Sequence, residues 1–260
     1  EPFVHIWDLE NWIEIGRLEG HEGWIPGIDI SSDGRRVLTC SVDGTLILWD
    51  LQTREAIHRL DGHGKGLWAV AISPDGRTAL SDSGDSSMIL WDIENGREVR
   101  NFIPEGGMEE VGTSGIAFMP DGETAISGLN GGYIIHWDLA TGKEIRRFGQ
   151  HNDLRTRIEI SDDGRIALTS GMDGTLKLWD IEKGQLIREF GSQEQVTMFD
   201  ISMSPDGLTA LSGSSDKTIV QWHLMNPSLD ELKDWININR YVRPLTCTER
   251  ELYRIESLCE

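Results

Sequence analysis

The dipeptide Trp-Asp recurs at a nearly constant interval along this chain of 260 residues. Five copies and one altered copy, Trp-His, begin at Trp7, Trp49, Trp91, Trp137, Trp179 and Trp222. Successive tryptophans are 42, 42, 46, 42 and 43 residues apart. A period in the low forties indicates one supersecondary unit repeated in tandem, and such units bury their apolar faces only by stacking on their neighbours.

A turn signal recurs in register with the last five tryptophans. In each copy an Asp-Gly pair begins 16 residues before the Trp. The stretches between the turns, such as residues 69–73, 77–81 and 88–91, are short and rich in apolar and β-branched residues. This pattern predicts four short strands in each copy, because Asp-Gly supplies turn chemistry and β-branched residues favour strands. No helical pattern competes before residue 227.

Three copies also carry a His 12 residues before the Asp-Gly pair, at His21, His63 and His151. The order His, Asp-Gly, Trp-Asp resembles the WD-repeat family of β-propellers over residues 3–225. The resemblance implies an all-β propeller of four-stranded antiparallel blades that pack radially. We therefore predict a WD-repeat propeller over residues 1–225 and a short α-helical C-terminal extension over residues 226–260.

The strand count predicts about five blades and an N-terminal half-blade. Residues 3–20 supply only the last two strands of a blade, four complete blades follow, and the Trp222 unit has three strands. The incomplete first and last blades leave two interpretations open. The strand around residues 12–17 could complete the Trp222 blade, or the chain could be the C-terminal part of a larger propeller. An open end would expose an apolar blade face and a sheet edge.

Three blades repeat a set of His, Ser or Thr, Asp and Trp that invites comparison with a catalytic triad. Three copies argue against catalysis, because a nucleophile needs a single pocket with an oxyanion hole. The family resemblance implies instead a structural hydrogen-bond network that links each Trp to the loop before its blade. Its members are His21, Thr39, Asp43 and Trp49, then His63, Ser81, Asp85 and Trp91, then His151, Thr169, Asp173 and Trp179.

Two blades depart from this network. They carry Glu109 and Glu194 at the His position, and the Trp137 blade has Gly131 in place of the Asp. The longer, Gly-rich connection over residues 104–110 has two interpretations. It is either a binding loop that the hydrogen-bond network does not hold, or part of a diverged repeat that binds nothing.

One end of the channel is the candidate partner-binding face, because the loops that enter the inner strands gather there. Trp24 and Trp68 belong to no structural register of the repeat, and aromatic residues among polar ones are common interface anchors. The alternative is that both rings pack in grooves between blades. The face comprises Trp24, Pro26, Trp68, Asn130, Leu154, Met172 and Phe199.

Charge and composition narrow the classes of partner. Asp and Glu number 44 against 24 Lys and Arg, so the net charge is −20. This balance argues against nucleic-acid or membrane binding and favours a basic protein partner. Three cysteines are too few for a disulfide scaffold or a four-Cys zinc site, and the chain is predicted to be cytoplasmic. The histidines lack metal-ligand spacing and no phosphate-binding loop is present, so we expect no metal and no cofactor.

The C-terminal extension carries a second resemblance. Residues 228–231 form a capping box, and residues 234–253 resemble an extension found on bacterial WD-repeat proteins. Those are often multidomain signalling or defence proteins, with a nucleotide-hydrolysing switch, a protease or a kinase upstream. The alternative is a helix that packs on the end of the propeller.

We hypothesise a non-enzymatic interaction scaffold or sensor linked to an upstream effector. The alternatives are a propeller hydrolase or lyase acting at the channel mouth, and a purely structural propeller.

Overall fold

Short apolar stretches between polar turns fold into strands throughout the part of the chain that the structure describes. The computed structural model describes residues 2–105, 113–129, 132–149, 151, 156–191 and 197–224. The chain divides into a unit Glu1–Leu224 and a unit Met225–Glu260. The predicted extension over residues 226–260 therefore lies outside the described residues, as do Glu109, Gly131 and Glu194.

The described residues form 21 strands and no helix, so no helix in this part of the chain could span a bilayer. The strands are β1 Phe3–Asp8, β2 Ile13–Glu19, β3 Gly27–Ile30, β4 Arg36–Cys40, β5 Thr45–Asp50, β6 Ala56–Asp61, β7 Leu67–Ile72, β8 Thr78–Ser83, β9 Met88–Asp92, β10 Arg97–Phe102, β11 Thr113–Phe118, β12 Thr124–Leu129, β13 Ile134–Asp138, β14 Glu144–Phe148, β15 Thr156–Ile160, β16 Ile166–Gly171, β17 Leu176–Asp180, β18 Gln185–Phe190, β19 Met198–Met203, β20 Thr209–Ser214 and β21 Ile219–His223.

The strands pair into six antiparallel sheets in chain order. Strands β1 and β2 form a hairpin, four four-stranded sheets follow over β3–β6, β7–β10, β11–β14 and β15–β18, and β19–β21 form a three-stranded sheet. The prediction of an all-β propeller of four-stranded blades is thereby confirmed. The inner strands β3, β7, β11, β15 and β19 together line a central channel.

The apolar core lies between consecutive blades. Leu38 and Leu46 of the first complete blade pack with Val70 and Trp91 of the second in one buried cluster. Phe148, at the end of an outer strand, stands edge-on to the Trp of the next blade, with ring centroids 6.0 Å apart. Each blade is therefore stabilised mainly by its neighbours, as expected for a repeat that cannot bury its own face.

The Asp-Gly pairs form the predicted turns between the inner strand and the second strand of each blade. The carboxylate of Asp33 accepts hydrogen bonds from the Ser31 hydroxyl at 2.6 Å and from the Arg35 amide at 3.0 Å. Gly34, the next residue, adopts a φ of 69°. The same Ser-to-Asp hydrogen bond recurs at Asp75, Asp163 and Asp206. A side chain that satisfies the turn amides explains why Asp precedes Gly at this position in every blade.

The interpretation in which the N-terminal strand closes the ring is wrong. The strand around residues 12–17 does not complete the Trp222 blade, because β2 pairs with β1 from Phe3 opposite Glu19 to Asp8 opposite Ile13. The hairpin packs on the first complete blade, where Leu18 joins the cluster around Trp49. Apolar burial against that blade positions β2, and β21 pairs with β20 alone among the described strands.

Candidate protein-interaction face and channel

The hydroxyl of Thr39 lies at the centre of the network in the first complete blade. Thr39 Oγ1 accepts a hydrogen bond from Trp49 Nε1 at 2.9 Å and lies 2.7 Å from His21 Nε2. His21 Nδ1 lies 3.3 Å from Asp43 Oδ2, which also accepts the Glu22 amide at 2.7 Å. The indole of the blade is thus tied to the loop that precedes it.

The other two sets adopt the same arrangement. Ser81 Oγ lies 2.7 Å from His63 Nε2 and accepts Trp91 Nε1 at 2.8 Å. In the blade that bears Trp179, Thr169 Oγ1 lies 2.7 Å from His151 Nε2 and accepts a hydrogen bond from Trp179 Nε1 at 2.8 Å. Asp173 Oδ1 lies 3.3 Å from His151 Nδ1. In the second blade Asp85 lies 3.4 Å from the His and accepts the Gly64 amide at 2.7 Å.

The geometry of these sets is unsuited to nucleophilic catalysis. Thr39, Ser81 and Thr169 have no solvent-exposed surface. Each of their hydroxyls accepts a hydrogen bond from an indole N–H. A nucleophile must reach its substrate and have a base to take its proton. These hydroxyls instead satisfy buried donors, which fixes the loop conformation.

Burial also sets the charge state of the network. Desolvation lowers the pKa of His21 and His63 below the ordinary value, although the neighbouring carboxylates oppose the shift. Partial burial raises the pKa of Asp43, but hydrogen bonds from Thr45 and from the Glu22 amide outweigh it and hold that pKa well below its usual range. In the first two complete blades the network therefore pairs a neutral imidazole with an ionised carboxylate at neutral pH.

Trp24 and Trp68 lie beside each other at one end of the channel. Their ring centroids are 6.3 Å apart with the planes at 79°, which is an edge-to-face contact. Trp24 is 64% exposed, whereas Trp68 is half-buried. The carbonyl of Trp24 accepts the Val42 amide at 2.9 Å, so the loop is fastened to the turn that bears the network Asp.

The remaining residues of the predicted face differ in exposure. Phe199 is 60% exposed, and Pro26 and Met172 are half-buried. Asn130 and Leu154 lie outside the described residues. The structure thus brings Trp24 and Trp68 into contact and leaves Phe199 exposed on the strand β19.

A cavity of about 570 Å³ follows the channel between the inner strands. Arg157 reaches across it, donating from Nη2 to the Pro26 carbonyl at 3.2 Å and lying 3.9 Å from Asp200. Asp29 and Glu159 also line the channel. Burial raises the pKa of Glu159 to about 7, and the carboxylates of Asp200 and Asp29 add to the effect. The described ionisable residues that line the cavity are three acids, Asp29, Glu159 and Asp200, and one base, Arg157.

Sequence reasoning did not identify the charged residues of the channel. A usable signal exists, because inward positions alternate along each inner strand. Arg157 and Asp200 lie six residues before the turn Asp of their blades, and Asp29 and Glu159 lie four residues before theirs. Counting back from the turn by even steps would have placed all four side chains at the channel.

A further acid, Asp82, is fully buried in strand β8. Its Oδ1 accepts the Ala69 amide at 2.8 Å, and its Oδ2 has no hydrogen-bond partner among the described residues. Burial raises the pKa of Asp82 to about 7, an effect that Arg157 partly offsets. Within the described ranges, no group of His, Cys, Asp and Glu side chains is arranged to hold a metal ion.

One known protein family matches the chain in four places. The family described as WD domain, G-beta repeat matches residues 12–50, 54–92, 142–180 and 184–223, together more than half of the chain. Residues 93–141, which include strands β11–β13 of the Trp137 blade, fall outside these matches. That blade has Glu and Gly at the His and Asp positions of the network. No curated protein matches the chain.

Proposed function

Because this chain belongs to the WD-repeat family of β-propellers, whose members generally act as protein-interaction scaffolds, we propose that it is a non-enzymatic scaffold or sensor module. It binds its protein partner through the face around Trp24 and Trp68. The observation that carries this proposal is the pair itself: a 64% exposed indole that stands on a second indole. Large aromatic residues of this kind supply most of the binding energy in many interfaces.

The loops that present the pair are restrained before binding. The Trp24 carbonyl is bonded to Val42, and the adjacent His21 is held by Thr39 and Asp43. A loop fixed in its bound conformation loses little entropy on association. The role of the propeller in this account is rigid presentation, with many contacts on one face and an aromatic anchor at its centre.

Charge selects the class of partner. The chain carries a net charge of −20, and Asp29, Glu159 and Asp200 line the channel beside the face. Complementary charge steers association and penalises partners of the wrong sign. We therefore assign a segment rich in Lys and Arg as the ligand.

The proposed biological setting rests on a resemblance in the sequence. The resemblance of residues 234–253 to an extension of bacterial WD-repeat proteins supports a cytoplasmic sensor that is covalently linked to an upstream effector domain. In this proposal, ligand binding on the propeller face is the signal that the effector receives.

A selection of random displayed peptides tests the proposal. Peptides that bind the wild-type chain should be rich in Lys and Arg, and Trp24→Asp should weaken them about tenfold or more. Ile145→Asp is the matched control, because Ile145 is 52% exposed and lies on an outer strand of a different blade. Selected peptides that bind Trp24→Asp as tightly as wild type would exclude this face.

A further inference from the structure

Arg157 has the longest side chain in one layer of the channel. In every blade an inner-strand residue pairs with the residue nine before the Trp, and these inner-strand residues form one layer of the channel lining. They are Gly27, Ala69, Gly115, Arg157 and Asp200. The first three have a methyl side chain or none, so Arg157 has room to extend across this layer.

The guanidinium of Arg157 spans the channel from the fourth complete blade to the first. Its Nη2 donates to the Pro26 carbonyl at 3.2 Å, although the two residues are 131 apart in the sequence. Its Nε lies 3.9 Å from Asp200 Oδ1 on the adjacent blade. The Asp200 side chain is 80% exposed, so this ion pair contributes little. The hydrogen bond to Pro26, which is partly buried, is therefore the stronger restraint.

The Pro26 carbonyl belongs to the segment that presents Trp24. Pro26 follows Trp24 by two residues and immediately precedes β3. The Trp24 carbonyl accepts the Val42 amide at 2.9 Å. A proline has no backbone N–H, so the carbonyl is the group through which its backbone can be held. Arg157 thus supplies the second fastening of this segment, two residues after the first.

The segment that bears Trp68 packs directly on the same backbone. A Cβ at Gly27 would lie 3.1 Å from Ala69 Cα and 3.3 Å from the Trp68 carbonyl oxygen. Behind this contact Asp82 accepts the Ala69 amide at 2.8 Å. Burial raises the pKa of Asp82 to about 7, and the Ala69 hydrogen bond and the charge of Arg157 both oppose the rise. The guanidinium therefore acts on both segments that carry the indoles.

We propose that Arg157 is a positioning residue for the partner-binding face: from across the channel it holds the Pro26 carbonyl and so keeps Trp24 standing on Trp68. Its importance for binding rests on the proposed function, whereas its effect on the two indoles is measurable without a ligand. A guanidinium suits this role because it stays charged and donates in fixed directions. Without it the Trp24 segment gains freedom that binding must then remove.

Fluorine NMR of the full chain labelled with fluorotryptophan tests the positioning role. The signals of Trp24 and Trp68 are identified by their loss in Trp24→Phe and Trp68→Phe. Arg157→Met fills similar space but cannot donate to Pro26. We expect this variant to move the Trp24 signal by more than its linewidth and to leave the signals of the tryptophans outside the pair in place. A general loss of stability would instead disturb many tryptophan signals.

Two further variants separate the hydrogen bond from the charge. Asp200→Asn changes the charge of the same layer by one without removing the donor to Pro26, and it should leave the Trp24 signal nearly unmoved. Arg157→Lys retains a charge and a donor and should move the signal less than Arg157→Met. A shift in Asp200→Asn as large as that in Arg157→Met would show that charge alone moves the signal, which would overturn the proposal.

A measurement on the wild-type chain applies even if Arg157→Met does not fold. With isotope-labelled arginine, a guanidinium held by a carbonyl rotates slowly and gives separate Nη signals, whereas a free guanidinium gives an averaged signal. Arg165, in the same blade and 84% exposed, is the internal comparison. The Arg157 signals are identified by their absence in Arg157→Lys. An averaged Arg157 signal would contradict the contact with Pro26.

Peptide binding distinguishes failure of this inference from failure of the proposed function. At about 0.5 M salt, where exposed charges are screened, a selected basic peptide should bind Arg157→Met at least about threefold more weakly than wild type. Equal affinity there, or an unmoved Trp24 signal in the folded variant, would overturn the positioning role and leave the face intact. A displaced Trp24 signal, with selected peptides that bind Trp24→Asp as tightly as wild type, would support the positioning role and reject the proposed function.

Discussion

The indole of Trp24 stands edge-on to the indole of Trp68, 6.3 Å away, although the two residues belong to consecutive blades. The contact joins the loop before β3 to the first residues of β7. One member of the pair is largely exposed and the other supports it, which is the arrangement of an anchor on a rigid base. We place the proposed interaction face at this pair.

Removing the central hydroxyl of a network should destabilise the propeller. Thr39→Val keeps the shape of the side chain but leaves Trp49 Nε1 and His21 Nε2 buried without their partner. We expect a loss of about 2 kcal/mol or more in the free energy of unfolding, measured in urea. Thr39→Ser retains the hydroxyl and should lose clearly less. Equal stabilities of the two variants would show that the hydroxyl contributes nothing.

The buried carboxyl of Asp82 should make stability depend on pH. Its pKa is raised to about 7 in the folded state, so its stabilising contribution is present at acid pH and is lost as the pH rises through about 7. Asp82→Asn keeps the shape and cannot ionise. We expect the variant to gain stability over wild type by an amount that grows between about pH 4 and pH 8.

Unfolding in urea at a series of pH values measures this difference. Comparison at each pH cancels the contribution of His21 and His63, whose lowered pKa values reduce stability below about pH 6.5 in both proteins. A stability difference that does not change with pH would contradict the assignment.

Two turn glycines should respond very differently to alanine. Gly34 has a φ of 69° and open space around the position of a Cβ, so Gly34→Ala should cost only about 1 kcal/mol of backbone strain. Gly132 has a φ of 79°, and a Cβ there would lie 2.0 Å from the His151 carbonyl oxygen. Gly132→Ala should therefore lower the melting temperature much further than Gly34→Ala. Similar melting temperatures would show that the loop at His151 moves freely.

Binding of a basic peptide at the Trp24 face should weaken with salt. A selected basic peptide should lose at least about tenfold in affinity between roughly 0.05 M and 0.5 M salt, because exposed charges are screened within a shorter distance. Isothermal titration at each salt concentration measures the effect. An affinity that is flat across this range would mean that charge does not select the partner.

Local chemistry made the fold predictable from the sequence. Each turn Asp accepts hydrogen bonds from nearby amides, and Trp91, Trp137 and Trp179 pack in the apolar clusters between consecutive blades, so both residue types recur at fixed spacing. Strand order and blade content follow directly from those two marks, because neighbouring strands are joined by short connections. The complete blades and the terminal hairpin were therefore countable in advance.

Long-range choices were not predictable in the same way. The pattern of β2 suits pairing with either β1 or β21; in the structure β2 pairs with β1, and its Leu18 is buried against the first complete blade. The reach of Arg157 to the Pro26 carbonyl depends on the width of the channel, which no local pattern encodes. The exposure of Trp24 likewise depends on the neighbouring blade rather than on its own loop.

Oxidative footprinting of the tryptophans shows whether a bound peptide covers Trp24. Hydroxyl radicals modify exposed indoles, and Trp12, which is 76% exposed in the β1–β2 turn, serves as an internal control beside Trp24. With a saturating amount of a selected basic peptide, we predict that oxidation of Trp24 falls while oxidation of Trp12 is unchanged. Unchanged oxidation of Trp24 in the bound complex would contradict the assignment of this face as the binding surface.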